Sequence, residues 1–95
     1  MLIHHKQNDS NGFFFIGEID NRQAQMTYSL PTDDKMILEH IEVNDKLGNK
    51  NVGYQLVNHA VEYARGHNIK IFPLCLFAAA VFNKKPEYAD VLSHN

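Results

Sequence analysis

The chain has 95 residues, with nine Lys or Arg against eleven Asp or Glu, so its formal net charge is -2. That length holds one small domain, residues 1–95, and the near-neutral balance argues against a nucleic-acid binder that works by bulk positive charge. The single cysteine, Cys75, excludes an internal disulfide and any zinc site that needs two thiolates.

A turn cluster at residues 9–12 precedes a first strand over 13–17, rich in phenylalanine. Residues 17–22 read as the end of that strand and a hairpin turn, because Asp20 and Asn21 tolerate turn conformations. In a second strand over 23–30, Ala24, Met26, Tyr28 and Leu30 alternate with Gln25, Thr27 and Ser29, the period of a half-buried strand. After a turn at 31–34, a third strand over 35–43 places Met36, Leu38, His40 and Glu42 on one face. Ile37, Glu39, Ile41 and Val43 take the other.

The period then changes. Val52, Leu56, Val57, Ala60, Val61 and Ala64 recur at helical spacing and predict one amphipathic helix over 51–65, with Gly66 and Asn68 as stop residues. Residues 69–72 form a β-branched strand closed by Pro73, residues 76–82 a short helix, and Pro86 opens a third helix over 87–92. The order β-β-β-α-β-α is an α/β (α+β) arrangement, with antiparallel N-terminal strands followed by a parallel βαβ pair. The crossover of that pair is right-handed, and its crevice lies beyond the carboxyl ends of the strands, near Val43 and Cys75.

Of the ten residues 44–53 that join the third strand to the main helix, six are Gly, Asn or Asp. One reading is a plain polar connection. The other is an anion cradle. Amides at a helix start have no intrahelical partner and the dipole favours negative charge there. Gly48 and Gly53 would let a phosphate approach, Asn49 and Asn51 tolerate left-handed backbone, and Lys46 and Lys50 add positive charge. The Gly48-to-Gly53 spacing matches a Walker A loop, but Tyr54-Gln55 stand where Lys-Ser/Thr is required, which argues against a nucleotide triphosphatase.

Cys75 reads either as a small packed hydrophobe or as a thiol whose ionised form a helix start favours. His40 is the only histidine well inside a strand. It reads as a half-buried residue or, from a strand beside that of Cys75, as its partner across one crevice. His4, His5, His59, His67 and His94 have no metal-ligand spacing with Cys75 and read as surface residues, and no metal site is expected. The N-terminus lacks the apolar core of a signal peptide, and the longest apolar run, residues 76–82, falls far short of the roughly 20 residues that span a bilayer. A cytoplasmic location, with no membrane partner, is expected.

From His40 to Val91 the chain resembles the short, cysteine-containing branch of the GNAT N-acetyltransferase superfamily. The resemblance rests on His40-Ile41-Glu42-Val43, the loop Leu47-Gly48-Asn49-Lys50-Asn51-Val52-Gly53, Gln55-Leu56-Val57 and Glu62-Tyr63-Ala64-Arg65. Pro73-Leu74-Cys75-Leu76-Phe77, Pro86-Glu87-Tyr88-Ala89-Asp90-Val91 and the strand Ala24-Gln25-Met26-Thr27-Tyr28 extend it. The superfamily's loop pattern, Gln/Arg-x-x-Gly-x-Gly/Ala, falls on Gly48, Asn51 and Gly53, so only its last glycine is kept.

The resemblance implies a GNAT-like fold splayed around a coenzyme A cleft, with acetyl-CoA as cosubstrate and an unidentified amine, such as that of a protein or peptide, as acceptor. It implies that backbone around Ile41, Glu42 and Val43 pairs with the pantetheine arm and that Gly48, Asn49, Lys50, Asn51, Val52 and Gly53 grip the pyrophosphate. Asn83 and Tyr88 would line the cofactor wall, whereas Phe77 reads as helix packing. Cys75 matches the branch's cysteine, suspected there of a catalytic role, and His40 would act as base. The alternatives are a non-catalytic CoA- or acyl-CoA-binding module and a protein-interaction domain.

Overall fold

Five strands form one sheet in the order β1-β2-β3-β4-β5 in the computed structural model, which describes residues 2–47 and 51–93. They are β1 (His4–Gln7), β2 (Asn11–Glu18), β3 (Asn21–Thr32), β4 (Lys35–Val43) and β5 (Lys70–Pro73). The first four pair antiparallel as a meander, and β5 joins β4 in parallel. Helix α1 (Val52–His67) makes the crossover, and helix α2 (Leu76–Lys84) and a 3-10 helix (Pro86–Val91) follow β5. A short 3-10 turn, Asp45–Leu47, leaves β4. The mixed α/β class and the splayed parallel pair agree with the sequence reading. The meander carries one more strand than expected, β1, and the last helix is a 3-10 helix.

The alternation in β3 does what its period predicts. Ala24, Met26 and Tyr28 face a core that also takes Phe14, Met36, Leu38 and Ile71, and α1 covers it with Leu56, Val57, Ala60, Val61 and Ala64. Ala78, Val81 and Phe82 of α2 join the same cluster. Burying each Val, Leu, Ile, Phe or Met side chain among them is worth about 1.5–3 kcal/mol. The helix runs past Gly66 and stops at Asn68, whose left-handed φ of 57° lets its N–H bond the carbonyl of Ala64. On the sheet's other face Phe13 and Phe15 stand side by side, and the Arg22 guanidinium lies 4.1 Å above the Phe13 ring.

The C-terminal segment is tied down twice. Arg65 donates to both carboxylate oxygens of Asp90 at 2.7 and 2.8 Å, and its partnership holds the Asp90 carboxyl below the usual range. Ser93 N–H donates to the Ile71 carbonyl at 2.7 Å, and Leu92 bridges Ile71, so the outer edge of β5 is covered. Among the described residues no helix is long and apolar enough to cross a membrane.

The edge strand β1 is held by its side chains. His5 stacks on Phe14 at 4.2 Å, meets Tyr63 edge-on at 4.7 Å, and its Nε2 shares a 2.5 Å hydrogen bond with the fully buried Tyr28 hydroxyl. Gln7 Oε1 accepts from the hydroxyls of Tyr28 and Tyr63. Burial pushes the Tyr28 phenol up to about 12. His5, expected at the surface, is half-buried instead. Burial first, and the neighbouring His59 and His67 second, lower its pKa below 6.5. An imidazole whose folded pKa lies below its unfolded value binds fewer protons when folded, so its contribution to stability is complete above about pH 6.5 and is lost as pH falls. Thermal melts from pH 8 to pH 5 will therefore show Tm falling below about 6.5, and the His5→Gln chain, less stable throughout, will show a shallower fall.

Candidate active site

The site is built by a phase change in β4. Tyr28 pairs with Leu38 and Thr27 with His40, so Glu39 is an extra residue, a β-bulge. One inserted residue reverses which face each later side chain takes. Met36 and Leu38 face the core before the bulge, and Ile41 packs against that core after it. His40, expected on the face of Met36 and Leu38, is therefore exposed on the opposite face, beside Thr27. Among the described residues no hydrogen bond joins His40 to Cys75, so the expected pair facing one crevice is not formed.

The same stretch of β4 loses its neighbour. The β4–β5 ladder ends with Leu38 opposite Pro73. Cys75 N–H makes a last bond, 3.0 Å to the Leu38 carbonyl, and Leu74 N–H turns back to the Phe72 carbonyl at 3.0 Å. Beyond that point residues 39–43 pair with β3 alone. Their backbone groups on the β5 side are left to water or to a ligand, since an unpaired buried amide is costly. Val43, at the strand's end, is 38% exposed.

The start of α1 supplies a second set of donors without an intrahelical partner. Asn51 holds a left-handed backbone (φ 58°, ψ 29°), and its side chain makes no capping bond. The first helical bond is Gln55 N–H to the Asn51 carbonyl at 3.0 Å. The amides of Val52, Gly53 and Tyr54 therefore precede the intrahelical ladder, and no acidic residue stands in the first turn to compete with an anion. Exposed Lys46 lies in the preceding 3-10 turn. Gly48, Asn49 and Lys50, expected in the same cradle, lie outside the described residues.

Between these two sets sits Phe77. A Cβ placed on Gly53 would fall 2.6 Å from Phe77 Cζ, 2.7 Å from Cε2 and 3.4 Å from Ile41 Cδ1. Glycine at 53 thus lets an aromatic ring lie on the backbone of the first turn of α1, a reason the loop reading did not foresee. Tyr54 meets that ring edge-on at 5.5 Å, and Phe77 remains 36% exposed. Phe77, read as helix packing, does pack on the first turn of α1, and its ring lies beside Ile41. Cys75 itself is half-buried at the head of α2.

Two expected wall residues are not brought here. Tyr88 is only 6% exposed, its ring packs edge-on against Phe82, and its hydroxyl already donates to Asn58 Oδ1 at 2.8 Å. Asn83 is exposed, six residues beyond Phe77 and so roughly 9 Å further along α2. Tyr88 belongs to the packing of the C-terminal segment. Among the described residues no group of three His, Cys, Asp or Glu is placed to hold a metal ion.

The sequence pattern of the GCN5-related N-acetyltransferase family matches residues 13–91. Among solved structures, the fold is similar to a GCN5-like protein from Staphylococcus aureus, assigned as an N-acetyltransferase and determined in solution by NMR. The two share 34% identity with a TM-score of 0.73 over 97% of this chain and 92% of that one. It is similar also to the aminoglycoside N-acetyltransferase AAC(6')-Iy, whose structure contains CoA. Here identity is 14% and the TM-score 0.54, over 81% of this chain and 67% of the other, a likeness of fold. No curated protein matches the chain.

The contact of Phe77 with Gly53 can be measured by a double-mutant cycle. In a Phe77→Ala background Gly53→Ala will stabilise the chain by up to about 1 kcal/mol, the helix-propensity gain alone. With Phe77 present the same change will gain less or cost stability, because the ring must move. Thermal melts of the four chains give the coupling.

Proposed function

The chain belongs to the GCN5-related N-acetyltransferase family, and from that premise we propose that it transfers the acetyl group of acetyl-CoA to an amine. The observation that carries the reading is the meeting of two sets of amides, those that precede the ladder of α1 and those of residues 39–43 that face away from β3, at the open end of the β4–β5 pair. The residues present fit the coenzyme: a diphosphate needs converging N–H donors, and a pantetheine amide needs a strand edge. The CoA bound to AAC(6')-Iy adds support.

Acetyl-CoA supplies an acetyl group activated as a thioester. The amides of Val52, Gly53 and Tyr54, with Asn51 setting the turn, would hold the pyrophosphate, and Gly48, Asn49 and Lys50 would add to that grip. The edge of β4 at Ile41, Glu42 and Val43 pairs with the pantetheine arm, and an N–H there polarises the acyl carbonyl. Such a donor is worth about 3–4 kcal/mol in the transition state. Phe77 walls the arm on the side of α1.

Acetylation of a protonated amine forms one C–N bond, breaks the C–S bond and releases one proton overall. The amine loses two protons: His40, open to solvent on the far face of β4, takes one and passes it to water, and the other restores the Cys75 thiol. Cys75, at the strand end beside the splay, gives a proton to the departing thiolate. A covalent role for Cys75 would leave an acetyl group on it, detectable by intact mass.

CoA and acetyl-CoA will each raise Tm, and release of CoA thiol will appear once a suitable amine is added. A chain that shifts with neither compound is not an acetyltransferase. One that shifts with both yet turns over no amine is a binding module. Asn51→Gly, which keeps the left-handed backbone, will preserve the shift. Asn51→Val strains that position by about 1–2 kcal/mol and will weaken it. Cys75→Ala will lower kcat and leave the CoA-induced shift in place.

A further inference from the structure

A hollow of about 530 Å3 lies at the end of β4 beneath the tip of the β2–β3 hairpin. Ala24, Gln25, Glu42 and Val43 of the paired strands line it together with Ile19, Asp20 and Arg22 of the hairpin. A bulge between Ile16 and Gly17, with Gly17 at φ 101°, bends the hairpin there. Val43 belongs both to this groove and to the unpaired edge of β4, so the groove opens directly onto the place where the acyl group is proposed to lie.

The lining has two chemistries. Ile19, 41% exposed, and Val43 offer apolar surface. Asp20 and Glu42 offer carboxylates. Arg22, the one cation of the lining, bonds neutral groups within it: its Nε donates to the Ile19 carbonyl at 3.0 Å, its Nη1 to Gln25 Oε1 at 2.8 Å, and its plane covers Phe13, so with Asp20 and Glu42 the lining keeps a net negative charge. Gln25 Nε2 in turn donates to Glu42 Oε1 at 2.8 Å. This chain fixes the Glu42 carboxylate in place with a neutral amide. Among the described residues neither Asp20 nor Glu42 has an ion-pair partner. Two carboxylates against one guanidinium, with Glu42 held in place beside aliphatic side chains, complement an ammonium carried on a methylene chain.

We infer that this groove is the acceptor site and that it takes a primary alkylammonium on an aliphatic stem, either a lysine side chain or a free alkyl diamine. Ile19 and Val43 cover the stem, and Asp20 and Glu42 hold the charged end. The inference rests on the acetyl-transfer reading for its purpose, but its binding test does not need the coenzyme.

Backbone NMR shifts will be followed while the intact chain is titrated with pentane-1,5-diamine, with an N-acetylated peptide holding one lysine, and with the same peptide holding norleucine. At least one cationic probe will perturb Arg22, Gln25, Glu42 and Val43, and the norleucine peptide will not. Whichever cationic probe binds more tightly identifies the source of the amine. Glu42→Gln keeps the shape and will weaken binding about tenfold, as expected for one charge-assisted contact, and Asp20→Asn will weaken it further. Perturbation elsewhere, none at all, equal response to norleucine, or unchanged affinity in both variants overturns the inference. The thermal shift with CoA is read on the same samples. A CoA shift without amine binding sinks only the groove, and amine binding without a CoA shift sinks only the transferase reading.

Discussion

β5 ends opposite Leu38 while β4 continues to Val43, and the functional end of the molecule depends on that unequal length. A parallel pair of equal strands would satisfy every amide and leave no slot. Here Pro73, which has no N–H to offer, closes β5, and the tight bond from Leu74 to Phe72 turns the chain into α2. The bulge at Glu39 falls just where the ladder to β5 ends. The unpaired segment therefore carries a side-chain phase opposite to the paired one. Ile41 is delivered to the α1 side and His40 to the other, so one strand serves two surfaces with different chemistry.

Positioning of the α1 amides follows from packing on the same side. The buried stripe from Val52 to Ala64 fixes the helix over β3 and β4, and Asn51 and Asn68 close its ends with the same left-handed backbone. Phe77 lies on glycine at the first turn, joining α2 to α1 where the two helix starts come near each other. At the far end of α1, Tyr63 and His67 stack at 4.0 Å and the Arg65–Asp90 pair fastens the C-terminal segment. The ion pair is exposed and worth little on its own. Its value is in orientation, since it is backed by a bond from Arg65 to the Glu87 carbonyl.

Much of this was readable from residue order because burial imposes a period. The β3 alternation, the α1 stripe and the Asn68 stop all follow from which side chains must leave water. The family resemblance, confirmed by the match over residues 13–91, placed the loop and the splay. What was missed has physical causes. β1 is polar, His-His-Lys-Gln, and its adhesion comes from partners far along the chain, Phe14, Tyr28 and Tyr63. The face of His40 was misread because strict alternation has no term for an inserted residue, and Glu39 carries no local mark of a bulge. Tyr88 looked like a ligand residue until Asn58, thirty positions away, proved to hold its hydroxyl. The role of Gly53 was hidden because its need for space comes from Phe77.

Residues Leu92 and Ser93 have a consequence of a different kind. By occupying the outer side of β5 they finish the sheet there, just as the side chains of β1 anchor the opposite margin. A bare β5 would be a short, partly apolar template for strands of other molecules. Loss of these last contacts would thus show first as self-association, in a chain whose interior remained intact.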